Sequence, residues 1–338
     1  MNKPDNHKYI VGFSAICGFF LALASGAWAF DINQLIFNDL KDGGKHLEMS
    51  RSGTLGDRGI QQLSKSRMLK KVEVLILKTH DITDEGLKAL AESKFLKNVK
   101  VFNLSHNKVG PEGIQAIAQS ENFKSITTLK LWGNHIGPEG ARALAASSFI
   151  RDLEHLDLSQ NQIGPDGAQA LAESENFRNL KELKLANNNI GDEGFIAIIR
   201  SPYMKNLVRL NLQGNNIGPK AMKALNEISS ETSLKILILK RNRIGNTGAQ
   251  HLAHSAALHN LKELNLDWNE ITTQGALNLS RSSMLGQLRI LKIWGNDIGE
   301  TGAKALSKSE NLKNLTNTIE RYEERGPYEA MEGGPQPF

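Results

Sequence analysis

Beyond its first thirty residues this chain has no cysteine; Cys17 is the only one in 338 residues. Without cysteines there is no disulfide, no thiol nucleophile and no thiolate metal site, so the fold must hold by packing alone. Aromatic residues make up only 6% of the chain while there are 30 glycines. That balance points to many similar thin layers rather than one aromatic-rich centre. The net charge of +5 is mild, and lysines and arginines are spread along the chain rather than gathered into a stripe dense enough for nucleic acid. No glycine-rich phosphate loop occurs in a strand-to-helix setting.

Only one long apolar run exists. Lys3 and Lys8 form a positive start, Tyr9 to Ala24 is almost unbroken in apolar character, and Ala27-Trp28-Ala29 is a small-x-small string. Residues 1–29 therefore read as a secretory signal peptide cleaved after Ala29. The alternative is an uncleaved anchor, since Tyr9 to Phe30 is just long enough to span a bilayer. Bulky Ile16 before Cys17 argues against a lipoprotein attachment site. The expectation is a secreted or periplasmic protein with no stable membrane insertion once the segment is removed.

What the chain does have is a repeat. Aligned on Val72, Val99, Ile126, Leu153, Leu180, Leu207, Leu234, Leu261 and Leu288, it advances by 27 residues each time across nine copies. LxxLxL alternates apolar and polar residues, as a short strand with one buried face does. Asparagines follow at Asn107, Asn134, Asn161, Asn188, Asn215, Asn242, Asn269 and Asn296, placed to form a ladder of amides bonding turning backbone. An inward isoleucine or valine comes next, then Gly-Pro or Gly-Asp, the proline suiting the first helical position. A helix Gly-Ala-x-x-Leu-Ala follows, and a final apolar residue such as Phe123, Phe177 or Leu258 closes each layer. One strand and one helix cannot bury their apolar faces alone, so the units must stack into a continuous core.

The motif LxxLxLxxNxIGxxGAxxLA resembles the ribonuclease-inhibitor-like subclass of leucine-rich repeats, and within it the bacterial repeats of the GALA type. The resemblance covers residues 45 to about 318. It implies an α/β solenoid, a horseshoe with a parallel concave sheet and convex helices, acting as a monomeric, non-enzymatic protein-binding module without cofactors. The chain lacks ribonuclease inhibitor's cysteines and its longer repeat, so ribonuclease binding is not carried over. It is similar also to the repeat domain of Ran GTPase-activating proteins, although a signal peptide speaks against a cytosolic GTPase role. GALA repeats would imply partnership with ubiquitin-ligase components through an F-box, of which residues 30–71 hold no clear copy. A bacterial effector or adaptor acting in a host cell, a scaffold of ubiquitin-ligase or GTPase-regulator kind, is the alternative.

The chain thus divides into a signal peptide (1–29), an N-terminal flank with a degenerate capping repeat (30–71), nine repeats (72–314), and a truncated repeat with a tail expected to be unstructured (315–338). In the capping repeat Glu48 and Ser50 stand where strand apolars are expected. Repeat six departs as well: Ala221 replaces the helix glycine, and Ile228 and Glu231 break the usual ending, so altered packing is expected there.

Candidate binding residues come from the outward strand positions. All three tryptophans beyond residue 29 fall there. Trp132 with Lys130 forms one candidate, and Ile238, Lys240, Arg241, Trp268, Lys292 and Trp294, with Ile236 and Ile290, form a second. Tryptophan and arginine are the residues that most often dominate interfaces. Isoleucines there also argue for contact, because a solvated face favours polar residues. His80, His106 and His135, and separately His251, His254 and His259, lie close in register, but no carboxylate or cysteine completes a metal geometry. The acidic residues Asp84, Glu112, Glu139, Asp166 and Asp192 recur with the repeat and favour helix N-termini. With a constant interval and no appended domain, nothing argues for catalysis, and a protein partner is expected rather than nucleic acid.

Overall fold

A computed structural model describes residues 32–49, 53–228 and 232–316. The expected signal peptide, Ser50, Glu231, Thr318 and the tail lie outside the described residues.

The three-residue strands β1 to β11 form one sheet in chain order: Leu40–Lys41 (two residues only), His46–Glu48, Val74–Ile76, Val101–Asn103, Thr128–Lys130, His155–Asp157, Glu182–Lys184, Arg209–Asn211, Ile236–Ile238, Glu263–Asn265 and Ile290–Lys292. β1 runs antiparallel to β2, and every later pair is parallel. From β3 onward the register advances by one 27-residue repeat per strand, so Leu75, Phe102, Leu129, Leu156, Leu183, Leu210, Leu237, Leu264 and Leu291 stand in one buried row. Helices follow the strands on one side: α1 (Ile32–Asp39), α2 (Gly56–Leu63), α3 (Asp84–Ala91), α4 (Pro111–Ala118), α5 (Gly137–Ala145), α6 (Gly164–Ala172), α7 (Gly191–Arg200), α8 (Pro219–Leu225), α9 (Gly245–His254), α10 (Thr273–Ser280) and α11 (Gly299–Ser307). Packed helices need about 8–10 Å each where strands need about 4.8 Å, so the sheet takes the inside of the arc. The chain is a solenoid with a concave parallel sheet.

Two polar ladders stitch the layers together. In the anticipated one, Asn215 Nδ2 donates to the Leu185 and Gln213 carbonyls, and its Oδ1 accepts from the Asn188 and Ile190 amides. The second is unexpected: Ser93, Ser120, Ser147, Ser174, Ser201, Ser255, Ser282 and Ser309 each donate a hydroxyl to a carbonyl of the preceding repeat. The helix-start carboxylates also work between repeats. Asp84 accepts the Gly110 amide and Asp192 the Gly218 amide, both at 2.6 Å, so each serves the next helix as well as its own.

Repeat six interrupts the second ladder. Ile228 stands in the serine position, and Ala221 stands where other repeats carry glycine. At the equivalent Gly167 a Cβ would sit 2.7 Å from Ile163 Cγ2 and 3.1 Å from the Pro138 Cα, which is why glycine permits close helix approach. A cleft of about 530 Å³ lies between α7 and α8, floored by Ile198, Met204, Leu225 and Leu234. One of about 610 Å³ lies between α2 and α3, where the glycine and the serine bond are kept, so the departures of repeat six do not by themselves account for it.

The N-terminal unit needs correction. Leu47 pairs with Leu75, a step of 28 rather than 27, so Leu47 and Met49 occupy the strand apolar positions and both are fully buried. The strand is complete. Capping falls instead to α1, which buries Ile32 and Ile36, and to β1, which covers the sheet edge.

His80 occupies the ladder position of the first of the nine repeats, 27 residues before Asn107. It is 2% exposed, and neither ring nitrogen meets a hydrogen-bond partner among the described residues. Burial holds its pKa below the ordinary 6.5, against a weaker opposite pull from the Gly53 and Met49 backbone and from Asp39. Between the folded and unfolded pKa values the unfolded chain binds the extra proton, so stability rises with pH across that window. Stability should therefore fall as pH drops below about 6.5, at up to about 1.4 kcal/mol per pH unit from this group, and His80→Asn should remove that component. Urea denaturation of both proteins between pH 5 and 8 checks this; parallel curves would exclude His80 as the source.

Candidate partner-binding face

Along each strand the side chains alternate, so the third, fifth and seventh residues of a repeat point away from the helices. Most polar groups there are already engaged. Asn103, Asp157, Asn211 and Asn265 each accept the amide two residues on, at 2.9–3.1 Å. Asp267, 9% exposed, accepts the Trp294 amide at 2.8 Å. Glu263 takes Lys292 at 2.9 Å. Burial pushes the Glu182 carboxyl up, but Lys184, His155 and Arg209 more than reverse this and leave it below its usual value. Asp157, Glu182, Glu263 and Asp267 are therefore spoken for, whereas Lys78, Lys130, Lys240 and Arg241 form no ion pair among the described residues. Lys130 does stand opposite Asp157 on β6.

The eighth residue of every repeat forms the rim, and its backbone is left-handed in all nine. Thr79, His106, Gln160, Asn187, Arg241 and Trp268 have φ of 54–61°, and Gly133, Gly214 and Gly295 have 66–73°. In all but Gly295 the rim amide also donates to a carbonyl of the next repeat, His106 to Trp132 at 2.6 Å and Trp268 to Trp294 at 2.8 Å. Glycine suits this conformation and a bulky side chain strains it by roughly 1–2 kcal/mol.

At two places the rim carries paired rings. Trp268 meets Trp294 edge to face with centroids 4.8 Å apart, and His106 meets Trp132 at 4.2 Å. Each pair rests on a glycine. A Cβ on Gly295 would sit 2.7 Å from Trp268 Cε2, and one on Gly133 would sit 2.8 Å from His106 Nδ1. The three tryptophans remain 40%, 43% and 45% exposed at 132, 268 and 294. Gly295→Ala should displace the Trp268 ring and cost about 1–3 kcal/mol through strain and overlap. Near-UV circular dichroism should lose the coupled-tryptophan signal, and an unchanged spectrum would show that the ring does not rest there.

The predicted residues therefore fall into two groups. Trp268 and Trp294 touch, with Arg241 exposed one repeat before them and Ile238 and Lys240 half-buried. Lys292 is exposed but tied to Glu263. Lys130 and Trp132 lie apart, with His106 as their third member. As a metal set the three histidines do not assemble, since His80 is buried and His135 is exposed to solvent. Among the described residues no three histidine, cysteine or carboxylate side chains converge on a metal geometry, and no helix is long and apolar enough to cross a membrane. His251 contacts Asn226 at 3.3 Å and His254 the Gln250 carbonyl at 2.7 Å.

A family model described as "Leucine Rich repeat" matches nine segments: residues 69–91, 96–118, 124–145, 150–172, 178–198, 203–225, 230–253, 257–280 and 288–307. No curated protein matches the chain.

Proposed function

Because the chain belongs to the leucine-rich-repeat family, whose repeats generally mediate protein–protein binding, we propose that it is a non-enzymatic module that takes a protein partner on its concave face. The observation that carries this reading is the Trp268–Trp294 pair. Two large rings are held nearly half exposed, Trp268 on the strained rim and Trp294 on the face beside it, near cations without carboxylate partners. Solvent exposure of that much aromatic surface is unfavourable unless a partner covers it. The 27-residue unit with its asparagine and Gly-Ala helix supports placement in the ribonuclease-inhibitor-like subclass, of GALA type. The positive start, apolar run and Ala27-Trp28-Ala29 string support export to the periplasm or exterior.

The test is capture from envelope extracts by the protein and by its Trp268→Ala, Trp294→Ala, Lys240→Glu triple variant, after circular dichroism confirms both folded. The expected result is one protein cross-linked to repeats 7–9 and lost with the variant. Equal capture by both would move the site to the convex helices.

A further inference from the structure

The concave face carries two similar ring cradles, not one. Trp132 and Trp294 share the seventh position of their repeats, Lys130 and Lys292 the fifth, and Gly133 and Gly295 the eighth. In each cradle the second ring comes from the rim of the preceding repeat and lies against that glycine. Duplication of a unit accounts for the shared string Leu-Lys-x-Trp-Gly-Asn. It does not account for the second ring, which is histidine in one cradle and tryptophan in the other while its placement recurs. Nor does the scaffold require rings. Asn187 lies against Gly214 in the same way, with Gln213 in the tryptophan position.

Between the cradles the face is low. Ser159 and Ala186 hold the seventh position in repeats four and five, and both are small and buried. The tryptophans thus stand as two posts six repeats apart on the concave sheet, with a floor between them that is lowest at Ser159 and Ala186. At about 4.8 Å per strand the posts are roughly 29 Å apart along the sheet, a span that about nine residues of extended chain cover. Of the cations without ion pairs, Lys130 shares a repeat with Trp132, Lys240 and Arg241 stand one repeat before Trp268, and Lys78 lies two repeats outside the first post; on the floor Glu182 is matched by Lys184 and Arg209. With its charges matched, the floor offers no continuous track of free cations for a row of phosphates; a peptide can carry charge at its ends and none in the middle.

Resting on the reading of this face as the partner surface, we infer that it grips an extended acidic segment of a protein at two points, each an apolar or aromatic side chain flanked by carboxylates, about nine residues apart. The cradles bind equivalent elements, and the floor sets their spacing.

The experiment uses the full chain and synthetic peptides bearing Asp-Phe-Glu once, twice with phenylalanines nine to twelve residues apart, or twice four residues apart, joined by Gly-Ser. The long two-copy peptide should bind at least about tenfold more tightly than the single copy, through effective concentration, and the short one should match the single copy. Trp132→Ala and Trp294→Ala should each reduce the long peptide to single-copy affinity, and Lys130→Glu, which leaves the rings untouched, should weaken it also. Equal affinity for one and two copies, no effect of Trp132→Ala, or tighter binding of an oligothymidylate would each overturn the two-point acidic reading. So would binding to none of the peptides. In any of these cases loss of the captured partner by the triple variant would still stand, which separates failure here from failure of the concave-face proposal itself.

Discussion

Asn215→Ala is expected to destabilise the protein by about 3–5 kcal/mol, since it strips partners from several buried backbone groups at once. The amide is fully buried and bonds two carbonyls and two amides, in its own repeat and the one before. No bulk water reaches this interior to replace them, and the alanine leaves a space that nearby side chains fill only in part. The stability of a solenoid is close to a sum of repeat and interface contributions. A central defect therefore lowers cooperativity as well as stability. Urea denaturation should give a lower midpoint and a broader or divided transition, as the two halves lose their common interface. Ser201→Ala removes one hydroxyl-to-carbonyl bond and the acceptor of the Tyr203 and Met204 amides, and should cost about 1–2 kcal/mol, less than the asparagine. A loss below 1 kcal/mol for Asn215→Ala would mean that a bound water takes over the amide's bonds.

The asparagine ladder was legible because asparagine is rare in strands and recurs at one register. The serine ladder recurs as regularly, at Ser93, Ser120, Ser147 and onward, yet serine between helix and strand also reads as an ordinary turn residue. Its break at Ile228 shows in the sequence only as an irregular ending. The N-terminal strand was misread by one residue because a constant interval of 27 was carried past the repeats that obey it. A shift of one residue exchanges the two faces of a strand, so Glu48 took the place that belongs to Leu47. The outward position of the tryptophans followed from the period-two pattern. Their pairing did not, because it joins the seventh residue of one repeat to the eighth of its neighbour. That contact depends on a left-handed rim residue, and in a sequence tryptophan or histidine gives no sign of positive φ.

That same rim conformation makes Trp268 a position where stability and binding can be separated. Trp268→Gly should be more stable than Trp268→Ala by about 1 kcal/mol, because glycine adopts φ near +56° freely and alanine does not. Loss of the edge-to-face contact with Trp294 costs both variants about 0.5–1.5 kcal/mol, so the glycine variant should fall close to the parent in thermal denaturation. Binding should not follow that order. Both variants should lose about 2 kcal/mol or more of affinity for the captured partner, roughly 30-fold, since both lack the ring. A side chain kept for folding would give the reverse pattern, with the more stable replacement also the better binder. If the glycine variant is as stable as the parent and binds as tightly, the ring merely covers the rim. If it is as stable and does not bind, then a strained conformation has been retained at Trp268 for what the ring touches outside the chain.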